Sequence, residues 1–124
     1  MPNIQHLRTQ AFRAQQGLCY YCDLPMWERS PDELTPLCLS PRKAASLRCT
    51  AEHLIAQQDG GRAVRGNIAA ACWICNSRRH KHKCPPSPDA YRALVQKRMA
   101  RGKWHPSVVR RLRAITSSCL LQEK

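Results

Sequence analysis

Two CxxC turns decide how this chain folds: Cys19-Tyr20-Tyr21-Cys22 and Cys72-Trp73-Ile74-Cys75. A CxxC turn delivers two thiolates to one side of a metal ion, and tetrahedral zinc takes four such ligands at about 2.3 Å. Two turns therefore fill the coordination shell, which is typical of structural zinc rather than of a catalytic ion with an open position. The pattern predicts a zinc ion that joins the two turns.

Redox chemistry is the alternative use of a CxxC motif, but it fits a lone pair near a βαβ pattern better than two distant pairs. The chain starts Met1-Pro2-Asn3 without the basic residues and apolar run of a secretory signal, so we expect a reducing, cytoplasmic location. No stretch approaches the roughly 18 apolar residues that span a membrane. The other cysteines lack a partner spacing and are expected to be buried or free thiols: Cys38, Cys49, Cys84 and Cys119.

The charge of the chain is strongly positive and unevenly distributed. The net charge is +13; residues 78–124 carry thirteen Lys/Arg and two Asp/Glu, whereas residues 1–77 carry eight and six. A cationic segment binds polyanions by releasing their counterions, so nucleic acid is the expected partner, with a merely soluble basic surface as the alternative. With 124 residues and 6% aromatics, we expect a single domain with a thin core: a zinc-stapled part over 1–84 and a basic helical extension over 85–124.

Caps and turn residues indicate where the elements begin and end. Gly17 is a natural helix stop, and Ser-Pro pairs at 40–41 and 87–88 combine an N-cap with proline at the first helical position. Helices are predicted over 4–16, from Pro41 toward Leu47, over 76–83, from Pro88 to near Gly102 and from Pro106; strands are predicted over 49–56 and 68–72.

A second set of chemistry-bearing residues lies between and just after the CxxC turns: Glu52-His53, Asp59-Gly60-Gly61, Asn67, Asn76 and His80. This order resembles the HNH endonuclease family, whose zinc-stapled members show an acidic-His pair, a Gly-Gly loop, an Asn and CxxCN at a helix start. The resemblance extends from Cys19 to about His82. It implies an α+β fold with a treble-clef-like ββα-metal core, an N-terminal helix and basic C-terminal helices.

The resemblance also implies a role for each residue. His53 is expected to be the general base, and Asn67 to order the loop and orient the histidine. Asn76 takes the third signature position and is expected to act in catalysis as a ligand of a divalent ion, with Glu52 and His80 as further ligands.

Physical chemistry supports this assignment. Asn76 and His80 are four residues apart and would share one helix face. Mixed oxygen and nitrogen donors suit Mg²⁺, Mn²⁺ or a similar ion, and a neutral imidazole accepts a proton near neutral pH. Successive strand residues face opposite sides, so Glu52 and His53 reach one site only where the strand bulges or ends.

The predicted function is metal-dependent hydrolysis of phosphodiester bonds, in DNA rather than RNA. Two alternatives remain: a non-catalytic zinc module that binds nucleic acid, and a redox or protein-interaction module. A homodimer is possible, but no pattern indicates one. Four basic residues beside the proposed metal helix are expected to contact phosphates: Arg78, Arg79, Lys81 and Lys83. Tyr20, Tyr21 and Trp73 are expected to shield the zinc turns rather than to stack on bases, and His6 and His105 to lie at the surface or cap helices.

Overall fold

The computed structural model describes residues 3–105, which form helices around one two-stranded antiparallel sheet. The predicted α+β class is confirmed at this level. The helix predicted from Pro106, and Cys119, lie outside the described residues. The helices are α1 (Ile4–Ala14), α2 (Pro41–Ala45), α3 (Trp73–Arg79) and α4 (Pro88–Ala100); the strands are β1 (Cys49–His53) and β2 (Ile68–Cys72); short 3₁₀ turns occupy Pro31–Leu37, Gln57–Asp59 and Arg65–Asn67.

Helix α1 is bounded by the residues that the sequence indicates. The Asn3 side chain caps it by accepting a hydrogen bond from the His6 backbone N–H at 2.8 Å. Its C-terminal turn ends in Gly17, whose φ of 76° favours glycine. The helix stops at Ala14, two residues earlier than predicted, and buries Leu7 against the strands.

The two strands form a hairpin in which Cys49 lies opposite Cys72 and His53 lies opposite Ile68. All five residues of β2 are buried, and its three consecutive alanines leave room for α1 to pack closely. Strand β1 ends at residue 53 rather than at the predicted 56. The reason is that both backbone groups of Ile55 pair with the side chain of Asn67 instead of a strand.

The outer edge of β2 is covered by the segment that follows α1. The Gln15 carboxamide accepts a hydrogen bond from Ala70 N–H at 2.9 Å and donates one to the Ala70 carbonyl at 2.8 Å. The Tyr20 N–H donates to the same carbonyl at 3.0 Å. The Gln15 side chain thus pairs with β2 as a residue of a neighbouring strand would.

Helix α3 starts three residues earlier than predicted, at Trp73, inside the second CxxC turn. Cys72 is its N-cap residue, and the Trp73 N–H bonds to the Arg48 carbonyl at 2.9 Å, so the turn and the helix start coincide. The helix ends at Arg79 rather than near Lys83, with His80 as its C-cap.

Helix α4 begins as predicted, because Ser87 accepts a hydrogen bond from the Ala90 N–H and Pro88 occupies the first turn. It ends at Ala100, close to the predicted stop at Gly102. Its buried residues join the same core as the cysteines: Tyr91, Val95 and Met99.

The loop between the strands depends on Gly61. A Cβ at this position would overlap the carbonyl group of Ile55, which is backbone and cannot rotate away, whereas a Cβ at Gly66 would meet nothing within 4 Å. We expect Gly61→Ala to destabilise the fold by about 1–3 kcal/mol, as overpacking typically does. Thermal unfolding beside the matched Gly66→Ala variant measures this, and equal melting temperatures would contradict it.

Candidate zinc centre and catalytic cleft

The four cysteines of the CxxC turns come together in the core. All four are buried, and their sulfur atoms lie within 4.8 Å of one another. Tetrahedral zinc with 2.3 Å bonds would place its sulfurs about 3.8 Å apart. Cys22 Sγ and Cys72 Sγ are 3.9 Å apart, so the donor set fits zinc in number, chemistry and spacing.

The electrostatics of this cluster also favour a cation. Burial raises the pKa of Cys22 and Cys75 well above the usual thiol value. Burial opposes ionisation of Cys19 as well, but hydrogen bonds from the other three thiols lower its pKa well below the usual value. Four thiolates in one buried site therefore require a positive ion.

Hydrogen-bond donors surround the sulfurs. The backbone N–H of Cys72 reaches Cys19 Sγ at 3.3 Å, and Trp104 Nε1 reaches Cys75 Sγ at 3.3 Å. Trp73, which the sequence predicts to shield the turns, is 47% exposed. Trp104 is buried and makes this direct contact with the cluster. Nothing in the spacing of Trp104, outside both turns, indicated this contact.

The three remaining described cysteines match their predicted status. Cys49 is buried, which raises its pKa to about 12, while Cys38 and Cys84 are exposed. His105 departs from prediction: it is 4% exposed rather than at the surface. Burial lowers its pKa to about 4, so its ring stays neutral at neutral pH.

A cleft of about 370 Å³ opens where β1 and α3 end. Four of the five residues predicted for the catalytic site line it: Glu52, His53, Asn76 and His80. The sequence predicts that Glu52 and His53 share one site only where the strand bulges or ends. Strand β1 ends at His53, and both side chains reach the cleft.

Glu52 is the centre of a buried polar network. Its side chain has no exposed surface, and its Oε1 lies 2.7 Å from His80 Nε2. Its other oxygen accepts hydrogen bonds from the Tyr21 hydroxyl at 2.9 Å and from Arg79 Nη1 at 3.2 Å. Burial, reinforced by the Glu52 carboxylate, raises the pKa of Tyr21, so its hydroxyl remains a proton donor.

Arg79 holds the cleft together from inside. It is 3% exposed, and its guanidinium donates to the carbonyls of His53 and Leu54 at 3.0 Å and to that of Pro86, as well as to Glu52. The prediction that Arg79 contacts phosphates is therefore wrong. A signal for this existed, since Cys75 and Arg79 are four residues apart on α3 and share its buried face.

The other three basic residues predicted to contact phosphates differ in exposure. Arg78 donates to the Trp104 carbonyl at 2.8 Å and lies over the Trp104 ring at 4.7 Å, which leaves it half-buried. Lys81 and Lys83 are exposed. In the extension, Arg92 is paired with Asp23 through two hydrogen bonds of 3.1 and 2.8 Å.

Asn76 and His80 keep the predicted relation although the helix ends between them. The His80 N–H still donates to the Asn76 carbonyl at 3.2 Å, so the two residues are one helical turn apart. The Asn76 side-chain N–H₂ donates to Thr50 Oγ1 at 3.0 Å and to the Ala51 carbonyl at 3.1 Å. This leaves Oδ1 as the atom of Asn76 that can ligate a cation.

His53 lies in the cleft, whereas Asn67 lies outside it. The His53 Nε2 is buried and has no hydrogen-bond partner among residues 3–105. Asn67 does not line the cleft; it accepts from the Ile55 N–H at 2.8 Å and donates to the carbonyls of Ile55 and Arg62 at 3.1 and 3.0 Å. Its contacts fix the loop that follows His53.

The cleft offers only part of a metal coordination shell. Among residues 3–105, no group of three or more Cys, His, Asp or Glu ligand atoms besides the zinc cysteines is close enough to hold an ion. Adjacent ligands of an octahedral Mg²⁺ lie about 3 Å apart, since each bond is about 2.1 Å. The 2.7 Å between Glu52 and His80 is near that spacing, and Asn76 would supply a third donor.

Comparison with known proteins agrees with the HNH-like pattern of the sequence. The sequence model of the HNH endonuclease family matches residues 36–82. The matched segment contains β1, β2, α3 and every residue predicted for the cleft, but not the first CxxC turn. The resemblance to HNH endonucleases is thereby confirmed over this segment.

No curated protein and no solved structure matches the chain. Within residues 3–105, every helix is too short or too polar to cross a membrane.

Metal analysis tests the zinc centre. We expect about one zinc per chain, and we expect Cys22→Ser to lose the metal and much of the folded structure, since structural zinc contributes folding free energy directly. Cys38→Ser is the control, because Cys38 is exposed and outside the cluster. Full zinc content in Cys22→Ser would contradict the assignment.

The buried ion pair makes a separate prediction for stability. Arg79→Met should destabilise the protein by about 3–5 kcal/mol in urea unfolding, because it leaves the Glu52 carboxylate buried without its cation. Lys81→Met, at an exposed position, should change stability by no more than about 0.5 kcal/mol. Similar effects of the two substitutions on the free energy of unfolding would show that the Arg79–Glu52 ion pair contributes little to stability.

Proposed function

We propose that this protein is a metal-dependent HNH endonuclease that hydrolyses phosphodiester bonds of DNA. The observation that carries the proposal is the cleft, which gathers Glu52, His53, Asn76 and His80 within the segment that matches the family. These residues come from two elements, the end of β1 and helix α3 with its C-cap, so their meeting depends on the fold.

His53 is the general base in this proposal. The His53 Nε2 has no hydrogen-bond partner among the described residues, so in the tautomer that carries its hydrogen on Nδ1 it can accept a proton from the attacking water. The Arg79 guanidinium holds the His53 carbonyl, and Asn67 fixes the loop directly after it, so the ring is carried on restrained backbone. Both contacts position the base without touching substrate.

Glu52, Asn76 and His80 would hold the divalent ion, Mg²⁺ or Mn²⁺, with water and substrate oxygens completing its shell. Such an ion stabilises the negative charge that develops on the phosphate and the leaving oxygen. Tyr21 and Arg79 fix one oxygen of Glu52, which turns the other oxygen toward His80. We also propose that β1, β2 and α3 form the treble-clef-like ββα-metal core that the family resemblance implies.

The charge of the chain supports a nucleic-acid substrate. Lys81 and Lys83 follow α3 directly and are exposed beside the cleft, where they can contact the phosphates on either side of the cut. We favour DNA over RNA from the family resemblance, and a reducing cytoplasm from the need to keep four thiolates available.

One observation favours the rival, a zinc module that binds nucleic acid without cutting it. The cleft of the described chain brings only two ionisable ligand atoms, those of Glu52 and His80, into contact. A module that only binds would need neither the unpartnered His53 nitrogen nor Asn76 in the same cleft.

Plasmid nicking separates the two functions. With Mg²⁺ or Mn²⁺, His53→Ala should reduce the nicking rate by roughly 10²–10⁴-fold, the usual contribution of a general base, while DNA binding persists. His82→Ala is the matched control, since His82 is exposed and does not line the cleft. Equal nicking by wild type and His53→Ala would refute the assignment, and binding without cutting in every metal would favour the rival.

A further inference from the structure

A groove lined by two tryptophans and three basic residues lies at the N-terminus of α3 and shares no lining residue with the catalytic cleft. Its volume is about 880 Å³, within the usual range of ligand sites. We call it the tryptophan groove, and define it by the residues on which the argument rests: Trp27, Trp73, Arg42, Lys43 and Arg48.

The aromatic walls of this groove are held in place. The Trp27 indole N–H donates to the Ala44 carbonyl at 2.7 Å, and its backbone is hydrogen-bonded to Leu47 and Cys49. Trp73 opens α3 directly after zinc ligand Cys72, yet its side chain is 47% exposed. A large aromatic surface that is open to solvent on a rigid turn is suited to stack on another flat ring.

The positive charge of the groove indicates which kind of flat ring would stack on its tryptophans. No acidic residue lines it, and Arg42, Lys43 and Arg48 form no ion pair within the described part of the chain. Arg42 and Arg48 are exposed. Aromatic faces interleaved with unpaired cations are the combination that binds single-stranded nucleic acid, where bases stack and phosphates meet Lys or Arg.

The groove and the cleft lie along the same two elements. Trp73 bonds to the Arg48 carbonyl at one end of β1, and Asn76 bonds to Thr50 further along. From Arg48 to Glu52 the strand advances roughly 13 Å. A B-form strand advances about 3.4 Å per nucleotide, so one strand could occupy both sites within about four nucleotides.

We propose that the tryptophan groove binds an unpaired base and its phosphates, so that the preferred substrate carries an unpaired segment within a few nucleotides of the cut. The binding part of this inference is independent of catalysis. The statement about the substrate rests on the proposed nuclease function.

Binding is measured with fluorescent oligothymidylate and oligouridylate in the His53→Ala background, which prevents cleavage from obscuring the result. Adding Trp73→Ala should weaken binding about 5- to 150-fold, the usual range for one stacked base, whereas Trp73→Phe should retain most of the affinity. Zinc content measured in each variant shows that the neighbouring metal turn is intact.

A second variant keeps the test informative if Trp73→Ala does not fold. Replacing both Arg42 and Arg48 by Ala should reduce the slope of log affinity against log salt by about 1.4, since each phosphate contact contributes about 0.7 for single strands. Arg13→Ala is the control, because Arg13 is exposed on α1 and does not line the groove.

Cleavage is then compared on a full duplex and on the same duplex with an unpaired flap. Wild type should prefer the flapped substrate, and Trp73→Ala should lose that preference. Unchanged oligonucleotide affinity in Trp73→Ala and in the double Arg variant would overturn the inference and favour a protein occupant of the groove. Normal binding with no cleavage of any substrate would refute the nuclease function alone.

Discussion

The constraint on which the structure depends is the meeting of four cysteine side chains at one buried point. Two of them precede the sheet in the chain, and two lie at the junction of β2 and α3. A cation bound at this point would fix where α3 begins, and thereby the direction in which Asn76 and Arg79 face. In a core with few aromatic residues, metal bonds at this cluster would supply stability that larger apolar side chains supply elsewhere.

The second level of organisation is the polar network around Glu52. A carboxylate without solvent contact is stable only when its oxygens are paired, and here Tyr21, Arg79 and His80 supply the partners. Because Tyr21 lies within the first CxxC turn and Arg79 lies on α3, which carries Cys75, the network ties the cysteine cluster to the cleft. A zinc ion bound by the four cysteines would in this way help to fix the geometry of the cleft.

The sequence predicted the parts of the fold that local chemistry determines. Ser40 and Ser87 with their prolines started helices where expected, and the CxxC spacing predicted the convergence of the four cysteines. The inward orientation of Arg79 follows from its spacing of four residues from the buried Cys75, a signal that the prediction of phosphate contacts left unused. The end of β1 was also missed, since the Asn67 side chain that replaces a strand partner lies 12 residues away from Ile55. Burial of His105 and Trp104 depends on tertiary packing, which leaves no local signal.

The hydrogen bonds between Gln15 and Ala70 have a consequence for association between molecules. A two-stranded sheet offers an open edge on each side, and an apolar strand such as β2 would be a ready template for another chain. The Gln15 carboxamide occupies the donor and the acceptor of Ala70, at the middle of that edge. The Gln15 side chain, together with the Tyr20 N–H, thereby protects this edge from pairing with a strand of another molecule.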